Sequence, residues 1–295
     1  MSLPLASRTV IITGAGKGLG RAYALHLAAL GASIVVNNHR HAGEAESSAE
    51  RVVHEIRARG GLAIAEHSPV EQPGCGAAML QAALDHFGRL DAVVANAGIS
   101  EACSFHKQDL ADFQRVIAIN LMGTVHAIHP AFRHLYDQRR GSVVLSTSVA
   151  GLHGEHGLPA YSASKAALIG LTHVLAHEGR PHGVRINALA PYAATPMTES
   201  SMTPALRERF APQRVAPVLA WLVSDDCHLN NETLIVGGGR MSRARVAEAA
   251  PIDLPDGTSG VDGALQPLWA ELEARPLDRH FQGSLEQFAK FGTRE

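Results

Sequence analysis

Short apolar runs alternate with longer amphipathic stretches along this chain. Runs at 9–13, 33–37, 62–65, 92–95, 142–146, 184–188 and 233–236 are rich in Val, Ile, Leu and Ala. Several are continuously apolar instead of alternating, the mark of strands covered on both faces. Between them, apolar positions recur at helical spacing over about 19–30, 44–59, 75–87, 109–136, 160–179 and 214–224. Strand followed by helix, repeated from the N-terminus to residue 239, predicts right-handed crossovers and helices on both faces of a sheet. The predicted fold class is α/β, a doubly wound seven-stranded parallel sheet. After Gly237-Gly238-Gly239 the texture changes. A turn-rich stretch at 251–257 precedes helical patterns near 262–274 and 283–291. The chain therefore reads as a core, 1–239, and a C-terminal helical extension, 240–295, that packs over the sheet edge or against a neighbouring subunit.

Composition narrows the function classes. With 46% hydrophobic and 18% charged residues among 295, the chain is an ordinary globular one. A formal net charge of −2 gives no broad footprint for nucleic acid or for an anionic membrane, so neither is an expected partner. No apolar run approaches the roughly 18 residues of a membrane span. No signal peptide is visible at the N-terminus, and residues 292–295 carry no lipidation or peroxisomal signal. Cys75, Cys103 and Cys227 lack motif spacing and read as reduced thiols. The expected location is cytoplasmic. The 17 histidines are scattered, and even His153 and His156, which share a loop, lack metal-ligand spacing, so no metal is expected.

Candidate chemistry starts at the first strand. It runs into Thr13-Gly14-Ala15-Gly16-Lys17-Gly18-Leu19-Gly20 and then into a helix. Glycines there let the backbone turn sharply and approach a pyrophosphate at the helix N-terminus. The Gly-x-x-x-Gly-x-Gly spacing is joined by Asn96-Ala97-Gly98, Asn120, Ser148 and Tyr161-Ser-Ala-Ser-Lys165. In this order the set resembles the short-chain dehydrogenase/reductase family, from about residue 8 to 239. The resemblance implies a Rossmann-type sheet and an NAD(P)-dependent oxidoreductase. It also implies cofactor contacts at Thr13, Gly14, Gly16, Lys17, Gly18, Leu19, Gly20, Asn38, Arg40, Ser68, Val70, Asn96, Ala97, Gly98, Tyr161, Lys165 and Pro191.

The second strand should end on the group that meets the adenosine ribose, where a carboxylate would repel a 2′-phosphate. Asn38 stands there, followed by His39, Arg40 and His41, with Lys17 inside the glycine turn. These cations favour NADP(H). The alternative is NAD(H), with Asn38 on the ribose and Arg40 and Lys17 in solvent.

Tyr161 and Lys165 stand four apart on a predicted helix and so share a face. A phenol is a poor base at neutral pH, and a neighbouring ammonium is expected to lower its pKa. Ser148 falls just past the fifth strand, where strand ends line the ligand crevice. The family resemblance implies hydride transfer between the nicotinamide and a secondary alcohol or ketone. In it Tyr161 is acid/base, Ser148 positions the oxygen, Lys165 tunes Tyr161 and binds ribose, and Asn120 holds a water.

Within the family the chain is similar to the (3R)-hydroxyacyl-CoA dehydrogenase domains of peroxisomal multifunctional enzymes, the type 4 17β-hydroxysteroid dehydrogenase group. The similar stretches are 18–25, 55–61, 190–198 and 215–222, although that group has Asp where Asn38 stands. The implied substrate is a 3-hydroxyacyl-CoA or another bulky apolar hydroxyl/keto compound. A general ketoreductase of the 3-oxoacyl-carrier-protein or carbonyl reductase type is the alternative, and a non-catalytic dinucleotide sensor a further one. The segment 192–210, with Tyr192, Met197 and Met202, is the expected substrate lid. Arg240, Arg243 and Arg245 are expected in a solvated basic turn, with coenzyme A phosphates as the alternative role. A homodimer or homotetramer is expected through the helices at 109–136 and 160–179, with Leu168, Leu171 and Leu175 serving interface or core.

Overall fold

The computed structural model describes residues 4–40, 43–199, 202–255, 263 and 265–291. His41, two positions of the 251–257 stretch and residues 292–295 lie outside the described residues. The elements begin with β1 (Thr9–Ile12), α1 (Gly18–Ala29), β2 (Ser33–Asn37), α2 (Ser48–Ala58), β3 (Leu62–Glu66), α3 (Cys75–Phe87) and β4 (Ala92–Ala95). They continue with α4 (Leu110–Ile117), α5 (Gly123–Asp137), β5 (Gly141–Ser146), α6 (Val149–His153), α7 (Pro159–Gly179) and β6 (Val184–Pro191). Last come α8 (Pro204–Arg209), α9 (Ala216–Val223), β7 (Thr233–Gly237), β8 (Arg240–Ala244), α10 (Leu265–Glu273) and α11 (Ser284–Phe291).

The strands run in the order β3-β2-β1-β4-β5-β6-β7-β8, and the first seven pair in parallel. Apart from the edge strand β3, where Leu62 is exposed, the apolar runs are buried on both faces, with neighbouring residues pointing oppositely. Val10, Ile12, Ile34 and Val36 pack with Tyr23, Leu27, Val52, Ile56 and Leu219 of α1, α2 and α9. Ile11, Val35, Val93 and Val143 pack on the other face with Met79, Ile128, Ala131 and Ala176 of α3, α5 and α7. The order reverses between β1 and β4. That switch opens a crevice at the carboxyl ends of the strands, where ligands of such sheets bind.

Two features differ from the sequence reading. The sheet has eight strands among the described residues, not seven, because β8 joins beyond the expected boundary at 239. Gly238 and Gly239 both hold positive φ, +59° and +78°, which makes the two-residue turn of a hairpin and brings the chain back antiparallel. The long helix expected over 109–136 is instead broken. Asp109 caps α4 by accepting from Ala111 N at 2.8 Å, and a π turn, Ala118–Met122, separates α4 from α5.

Contacts divide the chain into units 1–243 and 244–295. In the second, Glu248 and Arg279 form an antiparallel bridge, and the Arg275 guanidinium donates to the Ala250 and Pro251 carbonyls. No described helix is long and apolar enough to cross a membrane.

Candidate active site

A groove of about 390 Å³ opens at the switch point. Its floor is the β1–α1 turn, fixed by Thr13. The Thr13 Oγ1 accepts from Asn96 N at 2.9 Å and Ala97 N at 3.0 Å, and Asn96 Nδ2 donates to the Thr13 carbonyl at 3.0 Å. This ties the ends of β1 and β4 together. Gly14 has φ +63°, and a Cβ there would stand 2.8 Å from Ala97 Cα. Only glycine lets the turn lie this close to the β4 end.

Lys17 is the N-cap of α1, yet no side chain caps the helix and no acidic residue occupies its first turn. The first N–H groups of a helix without such partners attract an anion. Ser146 supplies a second mark of a ligand. Its Oγ is buried on the groove wall with no hydrogen-bond partner among the described residues. An uncapped helix terminus facing a glycine cradle, with an unpaired hydroxyl further along, fits a dinucleotide.

At the adenosine end Asn38 Nδ2 donates to Ser48 Oγ at 2.9 Å and to the His39 carbonyl at 3.2 Å. Arg40 turns away from the groove. It pairs with Glu50 at 3.5 Å and donates to the Glu44 and Ala45 carbonyls. At this end the groove lining instead carries Lys17 and His39.

The chemical end is built by β5, α6 and α7. Ser148 caps α6, accepting from Ala150 N at 3.1 Å, and hydrogen-bonds the Tyr161 phenol. Lys165 is buried, only 4% exposed, and its Nζ donates to the Ser146 carbonyl at 2.6 Å. Burial pulls the Lys165 ammonium down to about 8. Its Nζ lies 5.7 Å from the Tyr161 ring centroid. The sequence reading expected this charge to lower the phenol. In the protein alone, burial pushes the Tyr161 phenol above its ordinary value and only Ser148 opposes the rise.

Asn120 sits in the π turn, fully buried. Its Oδ1 accepts from Ile99 N at 2.8 Å, and its Nδ2 donates to the Ile99 carbonyl at 2.9 Å and to Ser164 Oγ at 3.1 Å. The amide is spent on holding the β4 loop against α7. A π turn at such a position is a common way to aim one helical side chain.

The family model described as short chain dehydrogenase matches residues 8–206. The chain belongs to the short-chain dehydrogenase family. Members are oxidoreductases that act on CH–OH groups with a nicotinamide dinucleotide and a small-molecule substrate. A short-chain type dehydrogenase/reductase of Mycobacterium tuberculosis is 40% identical over 271 residues, covering 90% of this chain and 93% of that one. The peroxisomal multifunctional enzyme type 2 of Mus musculus is 38% identical over 251 residues. That match covers 83% of this chain, which spans only 34% of the mouse protein. A crystal structure of a short chain dehydrogenase from Mycobacterium avium superposes with a TM-score of 0.83 at 34% identity, covering 94% of this chain and 99% of that one.

In this dehydrogenase the groove gathers Gly14, Lys17, Gly18, Leu19, Asn38, Val70, Asn96, Ala97, Gly98, Tyr161, Lys165 and Pro191. Thr13, Gly16 and Gly20 shape the turn beneath the lining, while Asn120 and Ser148 reach it through Ile99 and Tyr161. Ser68 is drawn off, its N–H and hydroxyl both donating to Glu66. The sequence reading missed Asn37, Glu71, Ile99 and Ile119 on the lining, whereas Ser146 and Thr147 are the strand-end neighbours of Ser148, and Thr195 and Pro196 fall within the expected lid. For Ile99 the available signal was position, just past the end of β4. Leu168 is core, and Leu171 and Leu175 are partly buried against the core, so the large apolar residue that helix exposes is Val174, 54% exposed. Of the basic positions beyond Gly239, Arg240 and Arg243 lie on β8 and not in a turn.

Proposed function

We propose that this dehydrogenase interconverts a secondary alcohol and a ketone on a bulky apolar acyl substrate, most closely a 3-hydroxyacyl-CoA. The observation that carries the reading is the rim beyond Tyr161. Met197 lines the groove and is 46% exposed, and Tyr192, next in the chain to the lining residue Pro191, is 45% exposed. The resemblance to hydroxyacyl-CoA dehydrogenase domains supports it.

A bound nicotinamide would supply or accept the hydride. Gly14, Gly18, Leu19 and the α1 N-terminus would hold its diphosphate, and Asn96, Ala97, Gly98, Pro191 and Lys165 the nicotinamide side. Tyr161 Oη holds and passes the proton at the substrate oxygen, and Ser148 Oγ fixes that oxygen beside it. Lys165 places a cation near the phenol, and Asn120 keeps Ile99 and α7 in register. Expected from Tyr161→Phe is a loss of about 10²–10⁴ in turnover with cofactor binding retained. Unchanged turnover would remove Tyr161 from the chemistry.

Our reading of the cofactor is NADP(H), with Lys17 and His39 and not Arg40 meeting the 2′-phosphate. Parallel fluorescence titrations with NADPH and NADH test it. Lys17→Ala should weaken NADPH selectively, while Arg40→Ala should change neither. The missing carboxylate at Asn38 favours a second reading, a reductive ketoreductase. Activity on free ketones with none on acyl-CoA thioesters would select that one. We also read the protein as a homodimer or homotetramer of cytoplasmic location, and sedimentation would give the assembly.

A further inference from the structure

The amino ends of the strands, opposite the groove, form a second cavity of about 270 Å³. The register sets Val10, Ala92, Ser142 and Arg185 in one row across β1, β4, β5 and β6. Arg8 and Arg140, each two residues before that row, therefore overhang the same edge, and Arg89 precedes β4 there. All four arginines line the cavity, against two carboxylates, Asp91 and Asp225.

The pairing leaves a surplus of positive charge. Arg89 is bidentate to Asp91, at 2.8 and 2.7 Å, and Arg8 pairs with Asp225. Arg185 Nη2 donates to the Ser224 carbonyl at 2.7 Å and Nη1 to the Cys227 carbonyl. Carbonyls orient that guanidinium without neutralising it. Arg140 makes no side-chain hydrogen bond among the described residues and is exposed at the mouth. Its charge reaches Asp225, whose carboxyl Arg8, Arg185 and Arg140 together hold below the usual range. Three of the four guanidiniums are thus pre-oriented by protein partners, so a ligand would meet a fixed array with little ordering left to do.

We propose that this cavity binds a phosphate group carrying two negative charges, seated between Arg140 and Arg185. A tetrahedral oxyanion takes paired N–H donors from planar guanidiniums, and a dianion balances the surplus of two. Free phosphate and a phosphate monoester share this chemistry. The site is independent of the dinucleotide groove, since the two lie at opposite ends of the parallel strands.

The test is calorimetric titration of the full chain, saturated with NADH, which carries no phosphate monoester, to occupy the groove, against a chloride control at matched ionic strength. Inorganic phosphate and glycerol 3-phosphate are titrated separately. Tighter binding of the first assigns free phosphate as the ligand, and tighter binding of the second assigns a monoester. Arg140→Gln is expected to weaken either by about tenfold, and Arg140→Lys by less. Thermal unfolding should show phosphate raising the midpoint of the wild type and not of Arg140→Gln, whose turnover without phosphate stays that of the wild type. Heat no greater than with chloride, an undiminished affinity in Arg140→Gln, or binding abolished by NADH would each overturn the proposal.

Discussion

Lys165 places a cationic site inside the core, and that placement sets function against stability. Its ammonium titrates near 8 in the fold against 10.5 for the free side chain, with burial as the cause. Between those values the unfolded chain keeps a proton that the folded chain has released. Stability contributed by this residue therefore rises with pH across that window and is lowest below 8. At about 1.4 kcal/mol per pH unit, holding the charged lysine destabilises the ligand-free protein by about 3 kcal/mol at pH 7. Lys165→Met removes that cost together with the bond to the Ser146 carbonyl at 2.6 Å, itself worth about 1 kcal/mol. The variant should be more stable than wild type by about 2 kcal/mol at pH 7 and should lose turnover. Its advantage should shrink above pH 8 and reverse by about 10.5. Urea unfolding of both proteins without cofactor at pH 7, 8.5 and 10.5 measures this. A variant less stable at pH 7, or a difference that ignores pH, would refute the reasoning.

Other outcomes follow from single contacts. Gly14→Ala places a Cβ 2.8 Å from Ala97 Cα at a φ of +63°, so a stability loss of about 1–3 kcal/mol and weaker dinucleotide binding are expected. Unchanged affinity in a fluorescence titration would show that the turn has room to shift. Asn120→Leu strips two bonds from Ile99 and one from Ser164, and should lower the unfolding free energy by about 2–4 kcal/mol. A loss under about 1 kcal/mol in urea would mean that the clamp holds nothing.

Much of this protein was legible as sequence because its sheet is buried on both faces. Continuous runs such as 33–37 and 92–95 have one reading in a βα alternation, and the strands fall there. The glycine turn was legible from its place between a strand and a helix, and Ser148, Tyr161 and Lys165 from the order and spacing by which they resemble the family. One-turn helical spacing adds only that Tyr161 and Lys165 share a face. Long-range neighbours decided the remainder. The eighth strand hid behind Gly237-Gly238-Gly239, which reads as an ending until Gly238 and Gly239 prove to be a hairpin turn onto β7. Asn120 looked like a mid-helix residue, and its π turn is explained by Ile99 and Ser164, remote in sequence. Arg40 is read toward the cofactor from its charge and position, and only the fold shows Glu50 and two carbonyls beside its guanidinium. The Tyr161 phenol shows the same limit, since spacing announces the lysine nearby and only packing reveals how strongly burial opposes ionisation. Sequence determined the elements and the chemistry they carry. Tertiary structure decided which side chains were free to use it, because hydrogen-bond partners and desolvation depend on residues that only folding brings together.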